Sequence, residues 1–351
     1  MSLVNGHMLA LVKHEAKKGA ELKEMPIPEI SEEEVLIQVK TTSICGTDLH
    51  IYNWDQWAQN RVNTPYIFGH EFAGVVVKVG SRVEAVQVGD HVTAETHIVC
   101  GSCISCRRGH PHVCLQTKII GIDLDGCFAQ YIAIPAANIW KIGENIPFEF
   151  ASIMEPMGNA VHTVLSTSVA GKVVAVVGCG PVGLLAVSVA KAAGASQIIA
   201  LDVNKYRLHL AGKMGATYQI DSNKQDPLEA VIEWTAGRGA DVVVEMSGNP
   251  QAIQQALAMV TPGGCLSMLG LPTQPVELDI TNQLVFKGIT VHGIVGRRMF
   301  TTWEQTTGLL EANAVDLSTL ITHQFPLSEY ESAFSLMNRG DCGKIVLYID
   351  E

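Results

Sequence analysis

The chain has 351 residues, 47% of them hydrophobic and 17% charged, which excludes a disordered chain and predicts about two domains. Its 24 basic residues against 35 acidic ones leave a net charge of −11, so nothing draws it generally to phosphate backbones, and nucleic acid is excluded as the main partner. Nine cysteines are too sparse for a disulfide scaffold; an odd total with four crowded between Cys100 and Cys114 points to a metal site in a reducing, cytoplasmic compartment.

Residues 1–7, ahead of Met8, read as a cloning leader outside the fold, and Met1–Lys13 carries no secretory signal. The first 150 residues show short alternating runs (Val35–Lys40, Gly74–Val79, His91–Ala94, Phe128–Ile134) broken by Gly, Pro and Asp, the pattern of a mostly β domain with irregular loops. Three segments offer polar ligands in what read as turns: Ser43 to His50, Gly69-His70-Glu71-Phe-Ala-Gly74, and Met154-Glu155-Pro156. Thiolate, imidazole and carboxylate are competent zinc ligands, and three of them plus an exchangeable position make an open, catalytic arrangement. Spacing alone leaves the bland readings standing, with Cys45 a small buried hydrophobe and the others turn or solvated residues.

Between the second and third segments lies Cys100-x2-Cys103-x2-Cys106-x7-Cys114, inside a lobe spanning 97–117. Four thiolates on short loops close a tetrahedron around Zn²⁺ and leave no open position, the mark of a structural site. An iron–sulfur cluster and disulfides are the rival readings. The ferredoxin run spaces its last cysteine by three before Pro, whereas Leu115 follows here.

From Val173 a rhythm sets in. Apolar runs begin at Val173, Gln197, Thr217, Asp241, Cys265 and Ile289, at intervals of 24, 20, 24, 24 and 24 residues, with helical periodicity between most of them, as in Val182–Ala193 and Ala252–Val260. Strands alternating with helices predict a doubly wound, six-stranded parallel sheet. The uncharged stretch Val173–Ala190 is near membrane-spanning length, but Gly178, Gly180, Pro181 and Gly183 interrupt it, so it reads as strand, turn and helix.

That turn, Gly178-Cys-Gly180-Pro181-Val182-Gly183, fits G-x-G-x-x-G between a predicted strand and a predicted helix, the context a dinucleotide site requires. Asp202, closing the second run, suits ribose hydroxyls and repels a 2′-phosphate, which favours NAD over NADP; Arg207 argues the other way. Leu269 in the fifth run and Ile294 after the sixth complete the expected cofactor set. The tail after about Gly296 carries helical pattern at Trp303–Leu310 and Tyr330–Met337 and a strand at Lys344–Ile349. It is too small to stand alone and is expected to pack back on the N-terminal domain. The expected division is therefore 8–155 with 297–351 against 156–296.

Together GHEFAG (69–74), the four-cysteine lobe, GCGPVG (178–183) and the C-terminal return resemble the zinc-dependent medium-chain alcohol dehydrogenase superfamily from Met8 to Glu351. SICGTDLHIYNWDQWAQ (43–59), ETHIVCG (95–101), MEPMGNAVHTVL (154–165), FKGITVHGIVGRRMFTTW (286–303) and LITHQF (320–325) are most similar to its threonine-oxidising branch. The resemblance implies a Rossmann domain plus a GroES-like catalytic domain, a homotetramer, NAD and two Zn²⁺ per subunit. It implies catalytic zinc at Cys45, His70 and Glu71, with Glu155 beside the same metal and the direct carboxylate ligand left open. It further implies oxidation of L-threonine at Cβ to 2-amino-3-oxobutyrate, with Thr47 passing a proton through the nicotinamide ribose to His50. By position His97 lines the pocket. Glu155 is the candidate for the substrate ammonium, and Arg61 or Arg297 for its carboxylate. Polyol oxidation is the alternative activity. A non-catalytic NAD-binding protein fits less well, because Cys45, Thr47, His50 and His70 are all intact.

Overall fold

A computed structural model describes residues 6–349; residues 1–5, most of the expected leader, lie outside the described residues, and His7 already belongs to a strand. The chain divides into two compact units, Met1–Glu155 with His323–Gly340 and Lys344–Glu351, and Pro156–Thr322 with Asp341–Gly343.

In the first unit, β1 (His7–Lys13) pairs antiparallel with β2 (Glu21–Pro26), an edge strand whose charged sequence ELKEMP gave no apolar signal. The main sheet is built on β3 (Glu34–Ser43), which pairs antiparallel with β5 (Glu71–Val79), while the short β4 (Tyr66–Ile67) joins β1. Outward from β5 come β6 (His91–Ala94) and, after the β7 (His97–Ile98) and β8 (Lys118–Ile119) pair of the cysteine lobe and β9 (Tyr131–Pro135), β10 (Ile139–Lys141). Register decides the site: Ser43↔Glu71 lies at the end of the β3–β5 ladder, so the residues just past β3 and at the start of β5 emerge side by side.

The second unit holds β11 (Val173–Val177), β12 (Gln197–Asp202), β13 (Tyr218–Asp221), β14 (Ala240–Glu245), β15 (Val260–Met268) and β16 (Thr290–Gly293) in one parallel sheet, order β13-β12-β11-β14-β15-β16. All six expected strands are present. The central one, VVAVV, is buried throughout, as a parallel strand covered on both faces must be. The near-membrane stretch becomes β11 and helix Pro181–Ala192, and no helix among the described residues is long and apolar enough to cross a membrane.

The chain returns through β17 (Ile321–Pro326) and β18 (Lys344–Tyr348), and β18 pairs antiparallel with β3, Val346 opposite Ser43. The return expected at 297 falls at His323 in this division. Arg297 and Thr302 pack against Gly158 of helix Met154–Val164, which keeps 297–322 with the second unit.

Candidate functional site

The cysteine lobe places the ligand atoms of Cys100, Cys103, Cys106 and Cys114 within 4.8 Å of one another. Sulfur separations of 3.5 Å (Cys103–Cys106), 3.5 Å (Cys100–Cys114) and 3.8 Å (Cys103–Cys114) are far beyond a disulfide bond. They match the edge of about 3.8 Å that a tetrahedron with metal–sulfur bonds of about 2.3 Å requires. That spacing leaves room for one metal ion and not for a multi-iron cluster. Backbone N–H groups of Cys103 and Gln116 point at Cys100 Sγ and Cys114 Sγ, both at 3.3 Å. The Ser102 and Cys103 amides pull the Cys100 thiol down to about 6, which favours thiolate at that sulfur, whereas burial and the neighbouring cysteines push Cys106 up to about 12.

The second cluster joins Cys45, His70 and Glu71, again within 4.8 Å. The expected turns are regular elements. Cys45 is the N-cap of helix α1 (Gly46–Asn53), Glu71 opens β5, and Glu155 lies in the first turn of helix Met154–Val164. His70 and Glu71 are buried. Glu71 Oε2 is held by Lys344 Nζ and Ser43 Oγ, leaving Oε1 without a partner, and His70 Nδ1 has no hydrogen bond. His70 Nδ1 faces Asp48, so the imidazole's other nitrogen is the one left to ligate; with the Cys45 thiol and the unpartnered Glu71 Oε1 it makes a donor set that fits Zn²⁺.

The charge around this cluster is anionic. Burial pushes the Asp48 carboxyl up to about 6, against the pull of His70 and the Cys45 amide. Burial pushes the His70 imidazole down, yet Asp48 (Oδ1 3.6 Å from Nδ1) and Cys45 outweigh it and hold its proton well above the ordinary range. A field that retains a proton so firmly also favours a cation. Asp48 ties this site to the helix start, its Oδ2 accepting the Cys45 N–H at 2.8 Å.

Glu155 is buried but does not come within 4.8 Å of all three ligand atoms; its Oε1 accepts from Thr96 Oγ1 at 3.3 Å. His97 is half-buried on β7, its N–H donating to Glu95 Oε1 at 2.9 Å. Thr47 (half-buried) and His50 (exposed) lie three residues apart on α1, hence on one face. Both arginine candidates are engaged. Arg61 forks onto the two oxygens of Asp123, and Arg297, 1% exposed, donates to Asn159 Oδ1 at 3.2 Å.

In the second unit a cavity of about 420 Å³ is lined by Gly178, Gly180, Asp202, Arg207, Ser222 and Asn223, among others. Gly178 has φ +90, and a Cβ on Gly183 would stand 1.9 Å from the Gly178 carbonyl oxygen, so both glycines are structural necessities. Gly180 is different: a Cβ there would meet nothing within 4 Å, and it caps helix Pro181–Ala192. Open space before a helix N-terminus is where a pyrophosphate fits. Asp202 Oδ2 accepts the Cys179 N–H at 2.6 Å and Oδ1 the Asn204 N–H at 2.7 Å, fixing the carboxylate at the cavity wall. Arg207 Nε is buried without a partner in the same wall. Pro181, Val182 and Gly183 open the helix behind the cavity, and Leu269 and Ile294 follow the ends of β15 and β16 outside its lining.

Sequence reasoning missed Asp48, Ser43, Thr96 and Lys344. The first three sit inside or beside the segments that carry the ligands; Lys344 lies 300 residues from Ile44, whose carbonyl it bonds at 2.9 Å, and only the β3–β18 pairing brings it in.

Residues 31–144 match the alcohol dehydrogenase GroES-like domain family, and residues 181–312 the zinc-binding dehydrogenase family. The chain is 57% identical over 343 residues to an L-threonine 3-dehydrogenase of Bacillus subtilis, covering 98% of this chain and 99% of that protein. It is 56% identical to an L-threonine 3-dehydrogenase of Bacillus licheniformis, with 98% and 99% covered. Among solved structures, an alcohol dehydrogenase from Thermus sp. ATN1 superposes with a TM-score of 0.89 at 29% identity, covering 98% of this chain and 100% of that one.

Proposed function

Because the chain belongs to the L-threonine 3-dehydrogenase family of zinc-dependent medium-chain alcohol dehydrogenases, we propose that it oxidises the secondary alcohol of L-threonine to 2-amino-3-oxobutyrate with NAD. The observation that carries the reading is the meeting of the Cys45 thiol, the His70 imidazole and the buried, unpartnered Glu71 Oε1 at one point. Cys45, His70 and Glu71 would hold the catalytic Zn²⁺, and Cys100, Cys103, Cys106 and Cys114 the structural one. When bound, the open-site zinc supplies Lewis acidity toward a hydroxyl and NAD supplies a hydride acceptor.

The protein's own residues handle the remaining tasks. The Thr47 hydroxyl both donates and accepts, so it can take the alcohol proton and pass one on. His50, exposed on the same helix face, delivers it to solvent. Glu155, buried and acidic, pairs the substrate ammonium, and His97 lines the pocket. Gly178, Gly180 and Gly183 shape the dinucleotide turn; Pro181 and Val182 begin its helix; Asp202 receives the ribose, with Arg207, Leu269 and Ile294 completing the site. Nine sparse cysteines, four of them clustered at metal-ligand spacing, fit a cytoplasmic setting, and a homotetramer is the assembly taken up below.

The test is NAD reduction by zinc-replete protein with L-threonine, L-serine, sorbitol and ethanol, with metal analysis alongside. L-Threonine is used best; sorbitol and ethanol, which lack the ammonium and carboxylate, are used far less well, and L-serine, which keeps both charges and lacks one methyl group, about tenfold less well. Two zinc ions per chain are found. Faster turnover of sorbitol or ethanol overturns the substrate, and one zinc or none in fully active protein overturns the metal assignment.

A further inference from the structure

Asp55 lies five residues after His50, and its two carboxylate oxygens have separate partners. Oδ1 accepts the Ala58 N–H at 3.1 Å, which caps helix α2 (Gln56–Arg61). Oδ2 stands 2.5 Å from His50 Nδ1. The intervening turn is fixed independently of this contact. Trp54 sits in the left-handed region at φ 55, its N–H and that of Asp55 both return to the His50 carbonyl, and Gln59 Nε2 donates to the Trp54 carbonyl at 2.9 Å. The Trp57 ring lies 6.0 Å from the imidazole.

Burial raises the Asp55 carboxyl, but the Ala58 amide and His50 outweigh it and hold the group below its ordinary range, so it is an ionised acceptor. An exposed ion pair of this kind adds little stability. Its consequence lies in the tautomer. A carboxylate can only accept, so a neutral imidazole facing it must carry its proton on Nδ1 and leave the Nε2 lone pair basic.

We propose that Asp55 is a positioning residue that holds His50 in the Nδ1–H tautomer, so that Nε2 is the nitrogen that receives the outgoing proton. This rests on the relay reading of His50 given above. Asp55→Asn separates the two jobs of the carboxylate. Asparagine caps helices well and has one oxygen, which serves the Ala58 N–H. Its amide nitrogen then faces His50 and can only donate, which forces the proton to Nε2. Loss of the correct tautomer with intact geometry is known to disable a histidine base.

The experiment combines ¹⁵N spectra of labelled histidines, with His50 assigned through His50→Gln, and steady-state kinetics. The wild type shows Nδ1–H at His50. Asp55→Asn shows Nε2–H, kcat for L-threonine falls about tenfold, and KM stays within about twofold. Asp55→Ser keeps a cap but cannot reach the imidazole, and loses kcat in the same direction with an unchanged melting temperature. An Nε2–H tautomer in the wild type overturns the proposal, as does a tautomer switch in Asp55→Asn with unchanged kcat. The spectra need no substrate, so absence of threonine oxidation in the wild type strikes the functional reading while the spectra still decide the tautomer.

Discussion

Lys13 is fully buried without a carboxylate beside it. Its ammonium donates to the carbonyls of Lys17, of Gly19 at 2.8 Å and of Tyr52 at 3.3 Å, and lies 5.0 Å from the centre of the Trp54 ring. It therefore pins the loop after β1 to the end of α1, next to the turn that carries His50 and Asp55. Lys13→Met leaves the carbonyls without their donor and is expected to cost about 2 kcal/mol, read by urea unfolding. Burial lowers the Lys13 ammonium from 10.5 to about 8. Between those values the unfolded chain binds the proton that the folded chain has lost, so this site's contribution to stability rises with pH over that window. The difference in unfolding free energy between wild type and Lys13→Met should grow in the wild type's favour from pH 8 to 10; a constant difference refutes the burial argument. No sequence pattern marks Lys13. The lobe cysteines stand in one local motif, whereas Cys45, His70 and Glu71 come from separate segments that the sequence offered only as competent donors and that the resemblance joined into one proposed site. Lys344, Asp55 and Lys13 act through contacts that exist only once distant or turned segments meet.

At the level of elements, the parallel sheet was legible because a strand buried on both faces must be apolar throughout, and each run stands alone in the sequence. The edge strand β2 alternates exposed charge and is held only by pairing with β1, and α1, α2 and helix Met154–Val164 are short or entered through ligand segments that mimic turns. The glycine turn shows how one motif mixes two causes. Gly183→Ala drives a methyl group to 1.9 Å from a backbone carbonyl and is expected to cost about 3 kcal/mol or prevent folding. Gly180 has an ordinary φ of −62 and empty space at its Cβ, so Gly180→Ala should cost about 1 kcal/mol at most, as a weaker cap. Its effect should fall on the ligand, with the Kd for NAD raised at least about tenfold by calorimetry. If Gly180→Ala binds NAD normally, the cavity it borders does not take the pyrophosphate.

For the whole molecule, both candidate metal clusters belong to the first unit and the dinucleotide turn to the second. The second unit also leaves an edge to be covered. β16 ends the sheet, and no strand among the described residues pairs with its outer side. Val291 on this strand and Val295 just past it are exposed, and so are Phe286 (78%), Val285 and Ile280 in the segment that leads into it. An unpaired strand edge flanked by large apolar side chains invites association, and natural monomers blunt such edges with charge or proline. Here the edge sequence Thr290-Val-His-Gly293 carries neither acid, lysine nor proline. A second copy is the partner that suits it, since a two-fold axis lets the same strand meet itself antiparallel and closes the interface. Such pairing joins two copies; the homotetramer expected from the resemblance needs a second interface besides this edge. Val291→Lys places a charge on the edge and should lower the sedimentation coefficient to that of a smaller species. NAD binding should persist, because the cofactor turn follows β11, separated from β16 by β14 and β15. A wild-type monomer, or a Val291→Lys variant that sediments like the wild type, would show that the β16 edge is not where copies of this chain join.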